Sequence, residues 1–277
     1  MLTPVEFLQD LTNPALGFLS RALLISLIVA IVCGVVGTHV VLRGMAFIGD
    51  AVAHAVFPGL AVAFALQFSV LLGEAVAGVV IAVFSQRRRV KEDTVIGIFF
   101  AASFALGLVI IARVVGYTAS LTSVLFGSIT GVADGDILVA AIVGTAVIAL
   151  LLALTPQLTA VALDRETARA MNLPVLLLDL VLYLAVTAAV VISVSTIGNI
   201  LVLALLITPS ATARLLTDRL PAMMALSAAL GALGSLLGLY LSWAADLPTG
   251  AAIVLTVTAA FLAVWLSPVR SRPKVTA

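Results

Sequence analysis

The segment FLSRALLISLIVAIVCGVVGTHVVL, residues 18–42, is long and apolar enough to cross a membrane as a helix. The hydrocarbon core of a bilayer is about 30 Å thick, so a helix rising about 1.5 Å per residue needs about 20 apolar residues. Arg21 lies close to one end of the segment and His39 close to the other. The segment therefore predicts a membrane-spanning helix.

The composition extends this interpretation to the whole chain. The 277 residues are 63% hydrophobic and 10% charged, with a mean hydropathy of +1.31, whereas about 25% of the residues of an average soluble domain are charged. The fold class is thus predicted to be all-α, a polytopic bundle of about 8–9 transmembrane spans. On the same length criterion the spans lie near residues 18–42, 46–72, 74–86, 94–115, 136–155, 174–195, 199–215, 221–243 and 249–267.

Some of the predicted spans are short or interrupted, which is not expected of helices that only anchor a protein in the membrane. The spans 74–86 and 199–215 are short or interrupted, and residues 120–130 are too few to cross, which favours a re-entrant or interfacial segment. Irregular backbone at membrane depth is tolerated where protein or water covers it. One or two broken or re-entrant helices therefore indicate a transport pathway. Almost the whole chain is needed for the spans, so no soluble catalytic domain is expected.

The flanks of the bundle are short. Residues 1–17 carry acids and prolines where a secretory signal would carry positive charge, so they are interpreted as an interfacial lead. Residues 18–268 form the transmembrane domain and residues 269–277 a cytoplasmic tail. The single cysteine, Cys33, excludes an internal disulfide framework. The net charge of +1 gives no indication of a nucleic-acid partner.

Positive charge predicts the orientation of the bundle. With nine crossings and the N-terminus outside, Arg21 and Arg113 lie on the outer side and the other Lys and Arg residues on the inner side, out of 14 in total. Cytoplasmic loops are enriched in Lys and Arg. The asymmetry therefore places the segments that contain Arg43 and Arg165 in the cytoplasm.

The stretch RGMAFIGDAVAHAVFPG, residues 43–59, carries the candidate site. Asp50 and His54 are four residues apart and share one face of a helix, and His54 would lie about 15 Å from the inner surface. Ionisable groups at that depth usually mark a pathway, and carboxylate with imidazole suits Zn²⁺ or Mn²⁺. Pro58 cannot donate to the carbonyl of His54, so a kink is expected beside the candidate ligands.

Two other interpretations of this pair are open on chemistry alone. Asp50 and His54 can form a structural hydrogen bond, or Asp50 can cap a helix that starts at Ala51. His39, near the inner end of the first span, is interpreted as a packed residue rather than a ligand. Asp179, one turn into the sixth span, is expected to reach the inner surface or to pair with a neighbouring helix, and is not assigned to the pathway.

Two further stretches have a clear physical interpretation. Gly198 and Asn199 precede a helix that contains Pro209, which leaves the carbonyl of Leu205 without its donor and predicts a broken or kinked span. Residues 162–173 form a charged island between two spans, in which Asp164 can cap a short helix over 165–171. This island is either an ordinary interfacial loop or a docking surface for a cytoplasmic motor. The small residues Gly34, Gly37, Gly231, Gly234, Ser235 and Gly238 are expected to pack helices closely.

These stretches, in this order, resemble the membrane permease subunits of bacterial ABC importers for zinc and manganese. The resemblance rests on VVLRGMAFIGDAVAHAVFPGLAVAF, EDTVIGIFFAASFALGL, SVLFGSITGV, ALDRETARAMNLPV and GNILVLALLITPSATARLL, spread over nearly the whole chain. It implies a homodimer in the bacterial inner membrane, two cytoplasmic ABC ATPase subunits and an extracytoplasmic metal-binding protein. His39 departs from the apolar residue expected at its position, which leaves an additional ligand or a local polar substitution open.

The resemblance also implies the roles of individual residues. Asp50 and His54 would be pathway ligands for transported Zn²⁺ or Mn²⁺, with no permanent cofactor. The coupling helix that meets the ATPase would contain Leu163, Asp164, Arg165, Glu166, Ala168, Arg169 and Met171. The chain has no G-x-x-x-x-G-K-[ST] phosphate loop, so ATP hydrolysis is expected in a separate subunit and the chain itself is not expected to be an enzyme.

Other function classes remain for comparison. An ion- or proton-coupled secondary carrier would use Asp50 and His54 as a relay, and a membrane scaffold would use only the charged island. An intramembrane metalloprotease is disfavoured because no H-E-x-x-H motif occurs among the 2 histidines. A small Asp/His site also argues against large iron chelates as cargo.

Overall fold

Long apolar helices make up most of the computed structural model, which describes residues 3–45, 101, 102, 105, 109 and 131–267. In this part of the chain the fold is all-α, with no strand. We number its helices in chain order. They are α1 (Pro4–Thr12), α2 (Gly17–Leu42), α3 (Asp134–Leu163), α4 (Arg165–Ala170), α5 (Val175–Ile197), α6 (Asn199–Leu216), α7 (Leu220–Ala245) and α8 (Thr249–Leu266).

Six of these helices are long and apolar enough to cross a membrane, counted over the described residues. They are α2, α3, α5, α6, α7 and α8, and each corresponds to one of the predicted spans. The predicted spans 46–72 and 74–86 and the segment 120–130 lie outside the described residues. So does 94–115, apart from four positions that are helical. The membrane-spanning helical fold is thus confirmed, while the total of 8–9 spans stays a prediction.

Helix α2 is at the centre of the described bundle. It packs against α3, α5, α6 and α7, while α8 packs on α6 and α7. Most of α2 and α5 is buried, whereas α3 and α8 leave most of their residues uncovered. Exposed leucines on α3 and α8, such as Leu138, Leu255 and Leu262, suit a surface in contact with lipid, where apolar side chains need no cover.

The predicted packing role of the small residues is confirmed. A methyl group at Gly34 would lie 2.7 Å from the backbone nitrogen of Ala228 on α7, and one at Gly37 would overlap the backbone carbonyl of Leu206 on α6. At Gly238 it would lie 2.5 Å from the Cα atom of Ile253 on α8. Backbones approach this closely only where side chains are missing, which is how membrane helices associate without a hydrophobic driving force.

Two helix boundaries differ from or refine the prediction. Helix α3 continues through Pro156 to Leu163, whereas the predicted span ended at residue 155. The hydroxyls of Thr155 and Thr159 donate to backbone carbonyls four residues back, so the polar end of α3 adds no unpaired hydroxyl. Helix α6 likewise runs through Pro209 without ending. The distortion predicted there does not divide the span, and a bend at Pro209 stays a prediction.

Residues at the two ends of the bundle hold neighbouring elements together. At one end, Trp243 of α7 donates to Asp10 of α1 over 2.9 Å, and Arg21 of α2 lies 3.6 Å from Asp134 of α3. At the other end, α2 ends, α4 connects α3 to α5, and α6 connects to α7. The charged island lies at this second end.

Candidate functional site

The predicted metal ligands, Asp50 and His54, and the predicted kink at Pro58 lie outside the described residues. The described residues stop at Met45, before Asp50, and resume only at residue 101. Within the part of the chain that the structure describes, no group of three or more His, Cys, Asp or Glu side chains could hold a metal ion. Asp50 and His54 therefore stay predictions.

The short helix α4 forms as the sequence predicts. Asp164, in extended backbone conformation with φ −152° and ψ 116°, precedes it and accepts a hydrogen bond from the backbone N–H of Glu166 at 2.9 Å. The hydroxyl of Thr167 donates to the other carboxylate oxygen of Asp164. The hydroxyl of Thr167, followed by the N–H of Glu166, lowers the pKa of Asp164 from its usual 3.8. The cap is therefore ionised at neutral pH.

One side of α4 is anchored and the other is exposed. Ala168 is buried at 1% exposure, while Leu163 and Met171 on either side of the helix are 82% and 62% exposed. The backbone N–H of Leu173 donates to the carbonyl of Ala168 at 3.1 Å and closes the end of the helix. The result is a fixed, solvent-facing element with apolar side chains at both ends.

Charged side chains complete this surface. Glu166 and Arg169 are exposed on α4, and Arg165 is half-buried. An exposed patch that combines apolar and charged groups is typical of a protein-binding site. The seven residues predicted for the coupling helix, 163–166, 168, 169 and 171, lie on α4 and directly beside it, with Ala168 facing the bundle; their contact with an ATPase stays a prediction.

The structure adds a charge cluster that the sequence did not assign to the site. Asp179, one turn into α5, accepts a hydrogen bond from Nη1 of Arg43 at 2.7 Å. Its second carboxylate oxygen accepts one from Nη2 of Arg165. Arg43 follows the end of α2 and Arg165 begins α4. The expectation that Asp179 pairs with a neighbouring helix is confirmed, and Arg43 and Arg165 are both among its partners.

His39 lies in the last turn of α2 and is buried at 3% exposure. Its Nε2 atom has no hydrogen-bond partner among the described residues. Burial agrees with the predicted packed residue, and no carboxylate, thiol or second imidazole in the described chain forms a ligand cluster with it. A role as a ligand has no support from the described part of the chain.

A cavity of about 460 Å³ opens between α2, α3 and α7. It is bounded by Val35, Leu152, Thr155, Pro156, Pro221, Met224, Ala225 and Ala228. None of these side chains is a carboxylate or an imidazole, the ligands that divalent manganese and zinc prefer. The described residues around this cavity therefore offer no ligand set for such a metal.

Comparison with known proteins identifies the architecture. The family model described as "ABC 3 transport family" matches residues 15–267. The chain belongs to this ABC 3 transport family. The match covers every described helix except α1, from the first membrane-spanning helix to the last, so the resemblance found in the sequence is confirmed at the level of the family.

Individual relatives cover nearly the full length of the chain. It is 40% identical over 91% of its length to the manganese transport system membrane protein MntC of Halalkalibacterium halodurans, of which it covers 88%. It is 35% identical over 89% of its length to the chelated iron transport system membrane protein YfeC of Yersinia pestis, of which it covers 85%. Both relatives are named as membrane proteins of metal transport systems.

A solved structure matches the fold. The chain is similar to PsaBC from Streptococcus pneumoniae, solved in complex with a Fab, with a TM-score of 0.85 and 35% identity. The alignment covers 96% of each chain. The ABC 3 family member described here is thus an integral membrane protein with the helical fold of an ABC permease.

Proposed function

We propose that the chain is the permease subunit of an ATP-driven importer that moves Mn²⁺ into the bacterial cytoplasm. The observation that carries the proposal is the 40% identity to a manganese transport membrane protein over 91% of the chain. Within the importer, two copies of the permease pair with two cytoplasmic ABC ATPase subunits and receive the ion from an extracytoplasmic metal-binding protein. ATP is hydrolysed by the partner, because this chain has no phosphate-binding loop.

We assign the ion pathway to the stretch that follows α2. Asp50 and His54 lie four residues apart, so on a helix they present one oxygen and one nitrogen ligand on the same face. Alternating access across the dimer interface would bring the ion from the outer side past His54 and Asp50. Pro58 would bend the helix beside them and free the carbonyl of His54.

We assign α4 to the contact with the ATPase. The exposed side chains of Leu163, Met171 and Arg169 provide apolar and charged groups for a cytoplasmic partner, and the buried Ala168 fixes the helix to the bundle. Conformational changes of the ATPase during ATP binding and hydrolysis would then move α4. Residues 1–17 lie at the outer interface and residues 269–277 in the cytoplasm under the same orientation.

The higher identity to a manganese transport protein, 40% against 35% for the protein named for chelated iron, favours manganese as cargo. The carboxylate of Asp50 suits Mn²⁺, whereas the imidazole of His54 suits Zn²⁺ and iron. Zn²⁺ binds the same ligands with higher affinity in general, so the ligands alone do not reject it. Relatives of this chain are named for manganese and for chelated iron, and competition among Mn²⁺, Zn²⁺ and Fe²⁺ separates these cargoes.

The experiment is uptake of radioactive Mn²⁺ into proteoliposomes that contain the permease with its ATPase and its metal-binding protein. We expect uptake that requires ATP and is reduced in Asp50→Ala and His54→Ala to the background without ATP, while both variants still assemble with the ATPase. Uptake at the wild-type rate in both variants would refute the assigned ligands. Uptake by the permease alone, driven by a pH gradient, would instead indicate a secondary carrier.

The second histidine provides a matched control. The chain has 2 histidines, so the same substitution can be made at the candidate ligand and at the buried residue of α2. His54→Gln is expected to abolish Mn²⁺ uptake, and His39→Gln is expected to retain it. Loss of uptake in correctly assembled His39→Gln would place His39 in the pathway.

A further inference from the structure

The carboxylate of Asp179 connects four helical elements at the inner end of the bundle. Asp179 belongs to α5, and its two oxygens accept hydrogen bonds from Arg43 and Arg165. Arg43 also donates to the backbone carbonyl of Leu158 on α3 over 3.4 Å. The end of α2, the start of α4, α3 and α5 therefore meet at a single buried charge cluster.

The two arginines are held differently. The side chains of Arg43 and Asp179 are 6% and 7% exposed, whereas that of Arg165 is 33% exposed. Leaving a buried charge without its partner is costly, so the pair of Arg43 and Asp179 is a fixed part of the bundle. The half-buried Arg165 has access to water, which lowers the free energy of breaking its contact with Asp179.

Both guanidinium groups also have unused donors. Nε of Arg43 and Nε of Arg165 have no hydrogen-bond partner within the described chain, so neither arginine forms a full two-bond fork with Asp179 through Nε. A single-bond contact allows the guanidinium to turn or shift without losing its charge partner. For the half-buried Arg165 such a contact suits an element that moves, whereas Arg43 is held by its burial and by its second bond, to the carbonyl of Leu158.

The position of Arg43 in the chain connects the cluster to the candidate ligands. Arg43 directly follows α2, and Asp50 and His54 belong to the stretch that begins at Arg43. Arg165 directly follows Asp164, the cap of the short helix α4. Asp179 is thus the bridge between the exposed helix and the start of the candidate pathway.

We propose that Asp179 is a positioning residue that transmits movement of α4 to the end of α2 and so to the stretch that carries the metal ligands. The inference rests on the proposed function of α4 as the contact with the ATPase. A buried ion pair contributes little net stability compared with apolar packing, but it fixes the relative arrangement of the groups that form it. The contacts of Asp179 with Arg165 and Arg43 would thereby couple ATP hydrolysis to ion transport.

The test separates coupling from folding by measuring ATP hydrolysis and Mn²⁺ uptake on the same proteoliposomes containing the full importer. Arg165→Gln removes the connection to α4 and leaves the buried pair of Arg43 and Asp179 intact; because Arg165 lies on α4, its assembly with the ATPase is verified by co-purification. We expect ATP hydrolysis to continue while the Mn²⁺ transported per ATP falls at least about fivefold, the lower end of typical coupling between sites. Arg165→Lys, which keeps the cation, is expected to recover part of that ratio.

Asp179→Asn and the double variant Asp179→Asn/Arg165→Gln complete a double-mutant cycle with Arg165→Gln. If Arg165 acts through Asp179, adding Arg165→Gln to Asp179→Asn causes no further loss of transport per ATP. Asp218→Asn is the matched control, because Asp218 pairs with Arg214 in an exposed contact at 3.6 Å; its ratio should equal that of the wild type. If Asp179→Asn does not assemble, Asp179→Glu, which keeps the carboxylate on a longer side chain, takes its place in the single and double variants.

Two results would contradict the proposed role of Asp179. An unchanged ratio in Arg165→Gln, or a fall of uptake and ATP hydrolysis in equal proportion, would show that the cluster has a structural role only. Independent, additive losses in the double variant would show that Arg165 acts on the ATPase without Asp179. Failure of the proposed function is recognised separately, because the wild-type importer would then show no ATP-dependent Mn²⁺ uptake.

Discussion

Gly37 sets how closely α2 approaches α6. A side chain there would overlap the carbonyl of Leu206 and the hydroxyl of Ser210. Ser210 in turn lies 3.3 Å from the carbonyl oxygen of Gly34 and 2.8 Å from the hydroxyl of Ser227 on α7. Three helices therefore meet at one point where missing side chains allow buried hydroxyls to reach the backbone and each other.

We predict that Gly37→Ala lowers the thermal stability of the purified permease in detergent. The added methyl group forces α2 and α6 apart, and overpacking of this kind typically costs about 1–3 kcal/mol. Gly135→Ala is the matched control, because a methyl group at Gly135 on α3 would meet no atom within 4 Å. A melting temperature of Gly37→Ala equal to or above that of Gly135→Ala would contradict the prediction.

At the scale of a single element, α4 depends on its cap. A helix of 6 residues is too short to be stable alone in water, so its structure relies on the Asp164 side chain and on the packing of Ala168. The exposed surface proposed to meet the ATPase exists only while this helix is formed. The cap and the contact are thus linked.

We predict that Asp164→Ala weakens binding of the ATPase severalfold and that Asp164→Asn preserves most of it. Alanine removes the acceptor for the N–H of Glu166, whereas asparagine is about as good a capping residue as aspartate. Binding is measured by biolayer interferometry with the permease in nanodiscs. An equal loss of affinity in the two variants would mean that the ATPase requires the charge of Asp164 and not its hydrogen bonds, and wild-type affinity in Asp164→Ala would mean that the contact does not depend on the cap.

Features that depend on neighbouring residues could be predicted from the sequence, whereas contacts between residues far apart in the chain could not. The cap at Asp164 and the helix after it follow from neighbouring residues, so the sequence sufficed to find α4. The pair of Arg43 and Asp179 joins residues 136 positions apart, and hydropathy does not indicate which helix faces which. The end of α3 was predicted too early, at residue 155, whereas the helix continues through Pro156 to Leu163.

At the scale of the whole molecule, charge differs between the two ends of the bundle. Arg43, Arg165 and Arg214 lie where α2 ends and where α4 and α6 connect to the next helices, and Arg21 lies at the opposite end beside Asp134. This arrangement agrees with the orientation predicted from the sequence, in which the arginine-rich end faces the cytoplasm. Under the predicted orientation, the exposed surface of α4 would lie where a cytoplasmic ATPase can reach it.

Cysteine labelling tests this orientation, because the one native cysteine, Cys33, is buried at 0% exposure on α2. We predict that a membrane-impermeant maleimide labels Leu247→Cys in intact spheroplasts, since Leu247 is 49% exposed between α7 and α8. Ala170→Cys, at the exposed end of α4, should react only after permeabilisation when the permease is expressed without its ATPase. The wild-type chain should remain unlabelled in both conditions. Labelling of Ala170→Cys in intact spheroplasts, with Leu247→Cys labelled only after permeabilisation, would show that the bundle has the opposite orientation and that α4 is not in the cytoplasm.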